Sequence, residues 1–115
     1  MAAVERAGAL HQQNVGMDVL LVPIGPDDYA DAAALASKLR GQGIRVELDV
    51  RLRGPKADLR HADREGVPIV LIVGERERDE GVVNLRDMAA RDEVRVPRLE
   101  VIEAVRVRLD ARSMA

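Results

Sequence analysis

The sequence contains no cysteine, no tryptophan and no phenylalanine, and Tyr29 is its single aromatic residue. Without thiols there can be no disulfide, no thiolate metal site and no cysteine nucleophile. With so few rings, a core must be assembled from Val, Leu, Ile, Ala and Met, and the lack of aromatic platforms counts against strong base stacking. The N-terminal Met1-Ala2-Ala3-Val4-Glu5-Arg6 lacks the apolar stretch of a signal peptide, and no segment approaches the roughly 18 apolar residues of a membrane span. A soluble, cytoplasmic protein with no membrane partner is therefore expected. His11 and His61 are the only imidazoles, fifty positions apart and in no ligand spacing, so no metal is expected. Ser37 and Ser113, the only serines, sit in no nucleophile-elbow context. Charge of one sign is also lacking. Lys plus Arg number 18 against 20 Asp plus Glu, a net charge of −2, which argues against indiscriminate coating of nucleic acid and against a DNA partner.

What is present suits one domain, since 115 residues with 47% hydrophobic content can furnish a single core. Residues 1 to 16 carry little apolar material beyond Val4, Ala7 and Leu10 and are expected to be a leader or linker remnant, with residues 17–115 as the folded unit. The runs Val-Leu-Leu-Val-Pro-Ile from Asp18 to Ile24 and Ile-Val-Leu-Ile-Val from Pro68 to Val73 predict strands covered on both faces. Ile44, Val46, Leu48 and Val50 alternate with charged residues, the pattern of a strand with one exposed face at a sheet edge. Between these strands lie two helical segments. The first is opened by Gly25-Pro26-Asp27-Asp28, where either Asp can cap, carries Ala32, Leu35, Ala36 and Leu39 on one face, and ends at Gly41 and Gly43. The second begins near Pro55, turns Leu59 and Ala62 inward, and stops at Gly66.

After Gly74 the charged run Glu75 to Glu80 reads as a solvated turn. Val82 to Arg86 and a short stretch around Val94 to Val96 predict a hairpin. Pro97 then opens a final segment in which Leu99, Ile102, Val105 and Leu109 fall at the spacing of a helix's inner face. Val105 to Leu109 also alternates like a strand, but the run is long for one and Pro97 fits a first helical turn, so a helix is expected. Right-handed crossovers place the alternating strand beside the first, with the third on the first strand's other side. The expected fold is therefore α/β, a three-layer α/β/α sandwich around a five-stranded mixed sheet of order 2-1-3-4-5.

Few places invite chemistry. The loop Pro23 to Asp28 occupies the position where doubly wound folds hold phosphates, but it has no glycine-rich fingerprint and its aspartates repel an anion, so no cofactor is expected. The local charge asymmetry lies in residues 51–64. Arg51, Arg53, Lys56, Arg60 and Arg64 there face only Asp58 and Asp63, a local +3. Arg53 and Lys56 stand at a loop-to-helix junction, where unpaired N–H groups reinforce attraction for phosphate.

The order of motifs resembles a known family. Asp18 to Gly25, Gly43-Ile-Arg-Val-Glu-Leu-Asp49, the spacing Arg53 to Lys56 to Ala62-Asp63, Val67-Pro68 to Glu75, and Gly81-Val-Val-Asn-Leu-Arg-Asp87 followed by Val96-Pro97 are similar to the anticodon-binding domain of class II aminoacyl-tRNA synthetases. The likeness spans residues 17 to about 110 and is nearest to the histidyl type, with prolyl, threonyl and glycyl relatives. It departs from the histidyl pattern at Leu59 and His61, where aromatics are usual. The resemblance implies an RNA-binding module that is not itself an enzyme and docks a tRNA anticodon stem-loop. Arg53 and Lys56 would face the RNA, Glu77 would read a base edge and Arg86 would support it. Either an excised synthetase domain or a free-standing paralogue fits. The competing expectation is a regulatory or dimerisation module derived from that domain, using the β-hairpin edge at Val94 to Val96 to meet a homodimer or synthetase-like partner.

Overall fold

The computed structural model describes residues 16–113. The expected leader therefore lies, apart from Gly16, outside the described residues. Five strands form one mixed sheet: β1 (Val19–Pro23), β2 (Val46–Leu48), β3 (Ile69–Val73), β4 (Val82–Asp87) and β5 (Asp92–Pro97), ordered β2-β1-β3-β4-β5. β1, β2 and β3 are parallel, while β4 and β5 are antiparallel additions at one edge. The helices are α1 (Tyr29–Gly41), α2 (Pro55–Glu65), α3 (Glu75–Glu80) and α4 (Val101–Ser113), with 3-10 turns at Pro26–Asp28 and Arg98–Glu100. The expected strand order and three-layer arrangement are observed.

Every residue of β1 and β3 is buried, which is why neither run shows alternation. Val19, Leu21, Ile69, Leu71, Val83 and Leu85 pack against Ala32, Leu35, Ala36 and Leu39 of α1 and against Val101 and Val105 of α4. Leu20, Val22, Val70 and Ile72 point the other way, onto Ala62 and Leu59 of α2. Each fully buried aliphatic side chain contributes about 1.5–3 kcal/mol by leaving water. This aliphatic burial supports the fold without any aromatic residue.

The second face is only half covered. Register pairs Val70 with Arg86, Ile72 with Asn84, Asn84 with Arg95 and Arg86 with Glu93, so these four polar residues share the face on which α2 lies over β1 and β3. None of the four is buried. The result is an open, polar half-sheet beside a helix.

Three local expectations are corrected. The edge strand expected from Ile44 to Val50 shrinks to Val46–Leu48, after which Asp49 is 1% exposed and Val50 is 65% exposed, inverting the alternation. The cause is Asp49, whose carboxylate accepts the backbone N–H groups of Arg51 and Arg53, each at 2.9 Å, and so bends the chain out of the strand. Leu99, expected to face inward, is 98% exposed because the segment after Pro97 begins as a 3-10 turn and the helix proper starts at Val101. The run Glu75 to Glu80, expected as a solvated turn, is a short helix with Glu77 buried.

The far end of the hairpin is fastened by charge. The Asp87 carboxylate accepts the Ala90 N–H at 2.9 Å and Arg108 Nη1 at 3.1 Å, and Arg108 also donates to Asp92 Oδ1 at 3.0 Å. Burial would raise the pKa of Asp87, but these donors outweigh it and hold the group below the ordinary carboxylate range.

Candidate nucleic-acid interface

The β2–α2 junction is a knot of carboxylates around one arginine. Arg53 Nε lies 3.4 Å from Asp49 Oδ1 and 3.3 Å from Asp58 Oδ1, and its Nη2 is 3.9 Å from Glu47. His61 is half-buried with Nε2 3.3 Å from the Glu47 carboxylate. Gly54 starts α2 at φ 98°, a left-handed conformation that glycine adopts without a Cβ clash, and Pro55 follows at the first helical position. Burial, then the hydrogen bond and repulsion from Asp49, push the Asp58 carboxyl from its ordinary value up to about 7, with Arg53 opposing and Glu47 adding to the rise. Asp49 moves the opposite way. Burial would raise it, but the hydrogen bond with Asp58 and the N–H groups of Arg53 and Arg51 keep it low. The two neighbouring carboxyls are thus pushed apart, Asp58 toward its neutral form and Asp49 toward its charged one. Among the described residues Arg53 is the cation that meets Asp58, so removing the arginine would leave Asp58 with only the Asp49 and Glu47 carboxylates beside it.

The Arg53 charge is thus neutralised within the junction, its side chain only 26% exposed. Arg51 is exposed in the loop before α2, and three further cations lie along the helix. Lys56, Arg60 and Arg64 are exposed, and no ion pair joins them among the described residues. Their i, i+4, i+8 spacing aligns them in a stripe along one side of the helix, rising about 6 Å per step. A stripe of that pitch suits successive phosphates of a nucleic-acid strand.

Beside α2 the open half-sheet forms a cleft of ≈ 340 Å³ lined by Arg76, Glu77, Asn84, Glu93 and Arg95. Asn84 Nδ2 donates to Glu77 Oε2 at 2.9 Å. Glu77 can fold back in this way because residue 74 is glycine: a Cβ there would lie 2.8 Å from Glu77 Oε1. Arg86 Nη1 reaches Glu93 at 3.3 Å, and Arg95 pairs with Glu80. On the other side of α3, Arg78 Nη2 donates to Asp28 Oδ1 at 2.6 Å, tying that helix to the turn before α1. Asp28 also accepts the Gly25 N–H at 3.0 Å, so its carboxylate faces back from the helix it was expected to cap.

The sequence-expected residues converge on one side. Glu47, which meets Arg53, and Asn84, which meets Glu77, both project from the α2 face, as the pairings Leu20 with Glu47 and Leu20 with Val70 require. Lys56 is on the helix covering that face, and Arg86 stands next to Asn84 on its strand. Residues 18–108 match a family described as the anticodon binding domain. The chain belongs to that family. Among relatives of this anticodon-binding domain are the histidine–tRNA ligases of Rhodococcus erythropolis, 37% identical over 88% of the chain, and Pyrococcus abyssi, 36% identical over 90%. The chain spans about a quarter of the length of these curated relatives, 24% of each. The crystal structure of histidyl-tRNA synthetase from Nostoc sp. PCC 7120 superposes with a TM-score of 0.76 at 21% identity, covering 80% of this chain and 21% of that one, a likeness of fold.

Sequence reasoning overlooked Asn84 and Arg95. The one available signal was the polar alternation Asn84, Arg86 within a strand whose other side chains are buried. It was outweighed by the more conspicuous cationic segment. Among the described residues, no cluster of three or more His, Asp or Glu could hold a metal ion, and no helix is long and apolar enough to cross a membrane.

Proposed function

We propose that this chain is the tRNA anticodon stem-loop binding module of a histidyl-type class II aminoacyl-tRNA synthetase, acting in the cytoplasm and performing no chemistry itself. The single observation that carries this reading is the open half-sheet beside an unneutralised cationic helix stripe, within a domain of the anticodon-binding family. The stripe supplies sequence-independent attraction to phosphate, and the polar sheet face supplies hydrogen bonds to exposed base edges. Lys56 makes phosphate contacts together with Arg60 and Arg64. Arg53 holds the β2–α2 turn in shape and offers its exposed edge to the backbone. Glu77 and Arg86 line the base-reading side.

The competing partner-docking reading has less support, since the free β5 edge presents the exposed charges Asp92, Glu93 and Arg95, which oppose strand pairing with another chain. A fluorescence-anisotropy titration distinguishes the two readings. A labelled histidine-tRNA anticodon stem-loop should bind more tightly than a hairpin with a scrambled loop, and the affinity should fall with added salt. Equal affinity for the two hairpins would defeat the proposal.

A further inference from the structure

We infer that Asn84 is a specificity-determining residue of this surface, reading the edge of one unpaired keto base, guanine or uracil, with Glu77 as its positioning residue. The inference rests on the stem-loop reading above. Glu77 is 7% exposed and its carboxylate is acceptor-only when ionised, so the contact at 2.9 Å requires Asn84 to present its amide nitrogen to Glu77. That fixes the amide against flipping, and Oδ1 of this cleft-lining residue makes no hydrogen bond among the described residues.

A keto base offers a ring N–H beside a carbonyl oxygen. Asn84 Oδ1 can accept the ring N–H, and the amide N–H or a rim guanidinium can donate to the carbonyl. Arg76 is exposed at that rim and joins no ion pair among the described residues, whereas Arg95 is held by Glu80. Adenine and cytosine, which show an amino group where the keto bases show oxygen, would set donor against donor. A volume of ≈ 340 Å³ with a polar floor suits a single splayed base. The absence of an aromatic platform makes hydrogen bonding, not stacking, the source of discrimination here.

The test uses the whole chain and the histidine-tRNA anticodon stem-loop, together with hairpins carrying every single-base change within the anticodon. Asn84→Ala should lose roughly 5- to 150-fold of discrimination at one keto position while binding the hairpin already altered there as the wild type does. Glu77→Ala should reproduce much of that loss. Glu77→Gln, whose amide oxygen still accepts the Asn84 N–H, should restore it. A thermal melt of each variant confirms folding, and Asn84→Ser serves as a second variant should the alanine form fail to fold. Uniform weakening across all hairpins, or an unchanged preference in Asn84→Ala where the wild type discriminates, would overturn the inference alone. A wild type without any hairpin preference would overturn both it and the stem-loop reading.

Discussion

Reversing charge at Lys56, Arg60 and Arg64 together is expected to lower affinity for the anticodon stem-loop by on the order of a hundredfold at moderate salt and to flatten its salt dependence by about two to three units of slope. The physical reason is that each phosphate contact releases condensed counterions. Three lost contacts therefore appear in the logarithmic salt plot as three missing increments of about 0.7 to 0.9 each. The fold should survive, because all three side chains are exposed and unpaired among the described residues. Glu at 56 is favourable near the positive end of the α2 dipole, while Glu at 64 costs about 0.3–1 kcal/mol near its negative end. Lys38→Glu is the matching control. Lys38 is exposed on α1, across the sheet from α2, and its reversal should leave both affinity and slope nearly unchanged. Anisotropy titrations from low to moderate salt make the comparison. A triple variant with the wild-type slope would remove α2 from the interface.

The second large effect concerns stability. Asp58→Asn is expected to leave stability nearly unchanged at pH 4 and to raise it by a few kcal/mol at pH 8, on the basis of about 1.4 kcal/mol per pKa unit. Asp58 is fully buried and its carboxyl stays protonated up to about 7 in the folded chain, while in the unfolded chain it ionises near its ordinary value. The native state therefore binds the extra proton between those values. Stability from this group falls as pH rises through that window and is flat above it. Asparagine fills nearly the same space without ionising in either state, so the variant lacks the decline. Urea unfolding of both proteins at several pH values measures the divergence. Parallel curves would show that Asp58 ionises at the same pH in the folded chain as in the unfolded one.

Legibility in the sequence followed the strength of the burial pattern. β1 and β3 were plain because continuous Val, Leu and Ile runs fit little other than doubly covered strands, and the intervening helices fixed the strand order through handedness. The edge strand was blurred because Asp49, placed by alternation on the solvent face, satisfies two loop N–H groups and is buried instead. Residues Glu75 to Glu80 carry no apolar periodicity. Their helix is held by side-chain contacts to distant partners, Arg78 to Asp28 and Glu77 to Asn84, which a linear reading does not connect. The same limit applies to Arg53. Its charge was evident in the sequence, but its neutralisation by Glu47, Asp49 and Asp58 emerges only when β2 and α2 are brought together.

Mapping backbone amide shifts by NMR during titration with the histidine-tRNA anticodon stem-loop tests most directly whether RNA lands on the open half-sheet and its neighbouring helix. The expected result is perturbation concentrated along Lys56 to Arg64, at Arg76 and Glu77, and through Asn84, Arg86 and Arg95, with α1 and α4 silent. Shifts confined to α1 and α4, or a spectrum unmoved at saturating RNA, would contradict it.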